Sequence, residues 1–468
     1  MSFVFYDTET TGTNTAFDQI LQFGAIRTDD QLRELERFEI RCRVLPYIVA
    51  SPGAMRVTGV TVEQLTDPAL CSHFEMVRAI RGKLNTWSPA IFVGHNSLGF
   101  DEHLLRQAFY KTLHSPYLTS TNGNCRTDNL RMVQAVALCM PNALAIPINE
   151  RGRQSFKLDQ LAPANGFAHE DAHDAMADVE ATIYMSRLIA ERTPLLWANF
   201  TRFAQKVAVV NYVLGEEVFA LTDFYYGQPY SWLVTAVGLN PQNGAEVLVF
   251  DLSSDPQDLM RLTDDELASR LTIRPRAIRG LRANAAPIIH SYGEAPNSLR
   301  DAAPNLAALC RRASVIKADA GFRERLTTAY LAIREEYKPS VHVEEQIYDR
   351  FIDGSNQALL DRFQAVDWSE RLSVLAELTD ERLRVLGRRL IYCEASYLMQ
   401  DSVCHDYEVA IARRLTANEG AVPWLTLSRA ITEANDLLAN ATGAEGPLLN
   451  GHLDRLRQQA DNASALLA

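Results

Sequence analysis

Asp7-Thr8-Glu9 stands directly behind the apolar run Phe3-Val4-Phe5-Tyr6, and this placement constrains the chain more than any other feature. A short apolar run of aromatic and β-branched residues predicts a buried strand, here running into the acidic loop Asp7-Thr8-Glu9-Thr10-Thr11-Gly12. Residues two apart on a strand face the same side. Two carboxylates there repel one another unless a cation lies between them, and hard oxygen ligands suit Mg²⁺, with Mn²⁺ as a substitute.

Two more acids share this character. Asp101 follows Gly94-His95-Asn96-Ser97-Leu98-Gly99-Phe100, just past the apolar run Ile91-Phe92-Val93. Asp178 lies among alanines and methionine in Ala172-His173-Asp174-Ala175-Met176-Ala177-Asp178, inside a segment from Ala172 to Ala190 with helical periodicity. An acid in the interior of such a helix needs a partner. Four carboxylates together can hold two metal ions, and two ions about 4 Å apart clamp the attacking and leaving oxygens of an in-line displacement at phosphorus. His173, near the exposed start of the helix, is placed to take a proton from the attacking water. Each residue alone has a plainer reading: a solvated strand end, a helix cap, a surface histidine. The joint pattern carries the inference.

The bulk properties narrow the class. The 468 residues are 47% hydrophobic and contain no apolar run long enough to span a bilayer, so no membrane segment is expected. Met-Ser-Phe-Val-Phe-Tyr-Asp lacks the pattern of a secretory signal. Seven cysteines without a Cys-x-x-Cys indicate neither a disulfide framework nor a zinc site, and a reducing cytoplasm is expected. The net charge of −12 argues against a passive nucleic-acid coat but not against an enzyme that holds DNA in a local groove beside bound cations.

The pattern divides the chain into residues 1–193, α/β with a meander-like early sheet; 194–343, with short strands at 218–222, 231–237 and 246–251, a small barrel with helix appended; and 344–468, almost wholly helical. Ile20 to Ile26 and Phe38 to Leu45 read as the second and third strands, and Thr61 as a helix cap.

At this point the residues resemble a known family. Asp7-Thr8-Glu9-Thr10-Thr11-Gly12, His95-Asn96 with Phe100-Asp101, and His173 five residues before Asp178 are similar to the DnaQ-like (DEDDh) exonucleases, whose nuclease domain is ribonuclease H-like. Ser155-Phe156-Lys157-Leu158-Asp159-Gln160-Leu161, Pro52 to Thr61 and Glu345-Gln346-Ile347-Tyr348-Asp349 resemble the bacterial exodeoxyribonuclease I family, in which an SH3-like barrel and a helical domain follow the nuclease domain. The resemblance implies a 3′→5′ exonuclease on single-stranded DNA. It makes Asp7, Glu9, Asp101 and Asp178 metal ligands and His173 the general base. Glu9, Asn96, Lys157 and Thr58 would contact substrate, Thr58 from a loop. Lys157 departs from the arginine expected there, keeping the charge and losing the bidentate fork. A further implied partner is the C-terminal tail of single-strand DNA-binding protein, and a monomer is expected.

From Leu267 to Gly293 there is no acidic residue, while Arg270, Arg274, Arg276, Arg279 and Arg282 are basic. Arg274 and Arg276 are candidate phosphate contacts; a solvated face explains the run equally. Phe224, Tyr225, Tyr226, Tyr230 and Trp232 are candidates for base stacking, or for core and turn packing. Alternatives to the single-strand exodeoxyribonuclease are an RNA 3′-end trimmer or proofreading exonuclease of the same superfamily, and an inactive nucleic-acid-binding module. Retention of all four acids and the histidine speaks against the last.

Overall fold

The computed structural model describes residues 2–168, 173–335, 337–418 and 420–468. A mixed five-stranded sheet organises the N-terminal region. Its strands are β1 (Ser2–Thr10), β2 (Ile20–Thr28), β3 (Glu34–Arg41), β4 (Ala90–Gly94) and β5 (Cys125–Asp128), in the order β3-β2-β1-β4-β5. β1, β2 and β3 form the antiparallel meander, and β4 and β5 add in parallel beside β1.

The period of two along β1 sorts its residues between two cores. Val4 and Tyr6 pack with Phe23, Phe92 and residues of helices His73–Trp87 and Asp101–Lys111. Phe3 and Phe5 face the other way, toward Met176, Val179 and Ile183 of helix Ala175–Arg192. Asp7 and Glu9 share the parity of Phe3 and Phe5 and so lie on the side covered by that last helix.

Several boundaries differ from the sequence expectation. β1 continues through Asp7 and Glu9 instead of releasing them into a loop, because β2 pairs with it as far as Thr10. The third strand is Glu34–Arg41, not Phe38 to Leu45; its alternating charges suit an exposed edge. Ser51 and Pro52 start a helix, Pro52–Thr58, that Gly59 closes with φ +67°, so Thr58 ends a helix rather than sitting in a loop. The helix expected from Ala172 begins at Ala175, because Asp174 caps it; Ala172 itself lies outside the described residues.

A second, antiparallel sheet follows: β6 (Phe219–Tyr225), β7 (Gln228–Asn240), β8 (Asn243–Asp251), β9 (Ile278–Arg282) and β10 (Ile288–Ser291), ordered β10-β6-β7-β8-β9. Helices Leu306–Ala318 and Ala320–Ala332 share one core with it, and helix Lys206–Gly215 another. From Gly354 onward the elements among the described residues are helical. This region returns to the first sheet's surroundings: Phe363, Leu375 and Leu386 pack with Phe74, Tyr110 and Leu113. Among the described residues no helix is long and apolar enough to cross a membrane, and the seven cysteines are free thiols.

Glu102, one residue past Asp101, is a buried anchor. Arg126 and Arg106 each donate to it at 2.7 Å, and the hydroxyls of Thr119 and Tyr6 donate as well. Removing one partner of a buried ion pair leaves the others uncompensated, so Glu102→Ala is expected to destabilise the fold by about 3–5 kcal/mol. Urea unfolding measures this; a loss below about 1 kcal/mol, the range of surface pairs, would show that the cluster contributes no more than they do.

Candidate active site

β1 delivers Asp7 half-buried and Glu9 buried, and the first turn of helix Ala175–Arg192 delivers Asp178. Carboxylate oxygens of these three lie within 4.8 Å of one another. Asp101, buried at the start of its own helix, accepts a hydrogen bond from the Thr8 hydroxyl at 2.5 Å. The loop before it is held by Asp128, whose carboxylate accepts from the backbone N–H groups of Asn96 and Leu98.

The register explains the convergence. Asp7 lies opposite Gly24, and Glu9 opposite Gln22. A Cβ at residue 24 would come within 2.9 Å of backbone atoms of Ala175 and Met176, so the bare glycine is the seat on which the helix start rests. Asp178 therefore belongs to the first turn and not to a helix interior, where its charge also suits the N-terminal dipole.

The electrostatics show what the group needs. Burial, and then the charges of Asp101, Asp178 and Glu9, hold the Asp7 carboxyl well above the usual range. Burial, and then Asp178 and Asp101, push Glu9 up to about 9, with Arg41 opposing. Burial raises Asp101 to about 7, against the hydrogen bond from Thr8. A cation that replaces the protons lets such a group ionise at neutral pH. A purely oxygen donor set of this charge fits a hard divalent cation.

Two cavities border this group and share Val57 in their walls. One, of about 660 Å³, is lined by Asp7, Asp178, His173, Asn96, Lys157 and Tyr226, among others. The other, of about 560 Å³, is lined by Glu9 and Thr58 and by Arg414 and Trp424 of the helical region. His173, expected at an exposed helix start, is half-buried and precedes the cap, with φ +70°. That conformation costs a non-glycine residue about 1–3 kcal/mol and persists only where the surroundings impose it. Lys157 and Asn96 are exposed. Arg274 and Arg276 are exposed ahead of β9 and line neither cavity. Of the aromatic candidates, Tyr226, at the β6–β7 turn and 93% exposed, reaches the Asp7 cavity.

Residues 4–185 match the protein family described as Exonuclease. The chain carries an exonuclease domain. The likeness runs well past that domain: the chain is 29% identical over 377 residues to exodeoxyribonuclease I of Escherichia coli (strain K12), spanning 77% of this chain and 78% of that protein. Among solved structures, a moderately thermophilic exonuclease I from Methylocaldum szegediense superposes with a TM-score of 0.84 at 25% identity, covering 99% of both chains. E. coli exonuclease I in complex with a dA16 oligonucleotide gives the same score and coverage at 23% identity. The exonuclease domain therefore sits in the fold these enzymes share, with the antiparallel sheet and the helical region included.

Sequence reasoning did not single out Gln22, Gly24, Arg41, Asp128, Arg414 or Trp424. Only Gly24 carried a local signal, an unexplained glycine within a strand. The others act across long sequence separations.

The raised carboxyls have a consequence for stability. Unfolded, Asp101 and Glu9 titrate near 3.8 and 4.5; folded, near 7 and 9. Across that window the metal-free native state binds more protons than the unfolded chain, so stability present at low pH is lost as pH rises through 7 and 9. In chelator the melting temperature is expected to fall between pH 6 and 9, and a divalent metal salt to restore it. At pH 8, Glu9→Gln is expected to raise the metal-free melting temperature by about 2–4 °C and to shrink the gain from metal. Differential scanning fluorimetry checks both; a metal-free curve flat in pH would contradict the reading.

Proposed function

We infer that the protein is a 3′→5′ exodeoxyribonuclease that degrades single-stranded DNA to 5′-mononucleotides, in DNA repair and recombination. The observation that carries this reading is the convergence of Asp7, Glu9 and Asp178, with Asp101 tied to the same strand through Thr8, inside an exonuclease domain. The similarity to exodeoxyribonuclease I over three-quarters of the chain supports DNA as the substrate.

Asp7, Glu9, Asp101 and Asp178 would hold two Mg²⁺ ions, for which Mn²⁺ can substitute. Ions there would supply Lewis-acid activation of water and neutralise charge developing on the phosphoryl oxygens. His173, on the wall shared with Asp7 and Asp178, accepts a proton from the attacking water at its imidazole nitrogen. Lys157, from the same wall, donates to a phosphate as a point charge. Glu9 and Thr58, which line the second cavity together, contact the terminal nucleotide. Asn96 lies exposed at the mouth of the first, where the next nucleotide would pass. Arg274 and Arg276, away from both cavities, suit contact with phosphates farther along the strand. The enzyme acts as a cytoplasmic monomer, and the C-terminal tail of single-strand DNA-binding protein is its partner.

End-labelled single strands test this directly. Wild type is expected to shorten DNA from the 3′ end and to leave RNA intact. Asp7→Ala and His173→Ala are expected to lower kcat by at least about 100-fold, as loss of a metal ligand or a general base does. Equal activity on RNA, or activity that survives chelation, would refute the proposal. Arg274→Glu with Arg276→Glu is expected to shorten processive runs more than it slows a single cleavage, because phosphate contacts away from the chemistry set dissociation. Run lengths under a DNA trap measure this, and unchanged runs would remove those two arginines from the DNA path.

A further inference from the structure

Glu9, Gln22 and Arg41 form one row across β1, β2 and β3: Glu9 pairs with Gln22 and Gln22 with Arg41. Asp174 lies at the far end of this row. Its Oδ2 accepts from Arg41 Nη2 at 2.7 Å and from Gln22 Nε2 at 2.8 Å. Its Oδ1 accepts from the backbone N–H groups of Met176 and Ala177. Glu39, two residues before Arg41 on the same face, accepts from Arg41 Nε at 3.3 Å and from Gln22 at 3.0 Å, so the guanidinium bridges two carboxylates. One Asp174 carboxylate thus ties the start of the helix to the edge of the sheet, and the residue it follows is His173, in the left-handed region. Few non-glycine residues adopt that backbone; histidine is among those that tolerate it, and the fixed Asp174 beside it holds it there.

We propose that Arg41 is a positioning residue for His173, acting through Asp174. This rests on His173 being the general base. Arg41 holds Asp174 in the geometry that both caps the helix and turns the chain at residue 173, so the imidazole stays on the wall of the Asp7 cavity. A second route exists and must be separated: the charge of Arg41 also acts on Glu9. An effect through Glu9 would shift the Mg²⁺ dependence and disappear at saturating metal. An effect through His173 would persist there.

The test is a double-mutant cycle on nucleotide release from an end-labelled single strand, at saturating Mg²⁺ and DNA. Arg41→Ala is expected to lower kcat about tenfold, with KM and the half-saturating Mg²⁺ concentration changed less than about twofold. Asp174→Asn keeps a good cap, since asparagine caps as well as aspartate, and is expected to lose about the same factor. The double variant should be no slower than the worse single one, because both remove one contact. Arg41→Lys, which reaches only one of the two carboxylates, should recover part of the rate. A kcat for Arg41→Ala within about twofold of wild type, recovery of its rate by added Mg²⁺, or multiplicative losses in the double variant would each overturn the proposal. Should wild type release no nucleotide, the functional reading falls separately. The contact is then judged by ¹³C-histidine NMR: Arg41→Ala should move the His173 signal and leave that of the distant His290 in place, and an unmoved His173 signal overturns it.

Discussion

Mutual repulsion among Asp7, Glu9, Asp101 and Asp178 is the constraint around which the N-terminal region is built. Like charges held this close, and partly out of water, disfavour the metal-free fold as pH rises. The surrounding architecture resists that repulsion with rigid parts. β1 is central in its sheet and paired on both sides, the helix bearing Asp178 rests directly on Gly24, and Asp101 is held by Thr8 and backed by the Glu102 cluster. The repulsion becomes useful because the backbone cannot relax away from it. A cation then finds a donor set already assembled.

The grouping of the acids was legible in the sequence because each stands beside a strong local pattern: an apolar strand before Asp7, another before Asp101, and an alanine-rich helix around Asp178. The fold class was legible for the same reason, since alternation and periodicity are local. What escaped was set by pairing. That Arg41 stands opposite Gln22, and Gln22 opposite Glu9, depends on the register of three strands, which no single segment encodes. The position of His173 outside the helix escaped as well. Helical periodicity runs smoothly through Asp174, and only the capping bonds to Met176 and Ala177 show where the helix begins.

The arginine run from Arg270 to Arg282 shows the opposite limit. Its members look alike in sequence but differ in the fold. Arg279 is half-buried, stacked over Trp232 at 3.7 Å and 3.6 Å from Asp251, which accounts for its charge within the second sheet. Arg274 and Arg276 remain exposed. Trp232 likewise leaves the set of stacking candidates, while Tyr226 at the hairpin tip joins the wall of the Asp7 cavity. Composition alone could not sort structural from solvent-facing members of either group.

The second cavity has walls made at opposite ends of the chain. Glu433 accepts from the Ser51 hydroxyl and the Gly53 amide across 382 and 380 positions, and Asn14 donates to the Pro423 carbonyl across 409. During synthesis the segments beside Glu9 leave the ribosome long before their partners. A nascent chain can therefore form its carboxylate cluster well before the compartment around Glu9 is closed. Chains cut short before residue 423 would keep the acids and lack the far wall.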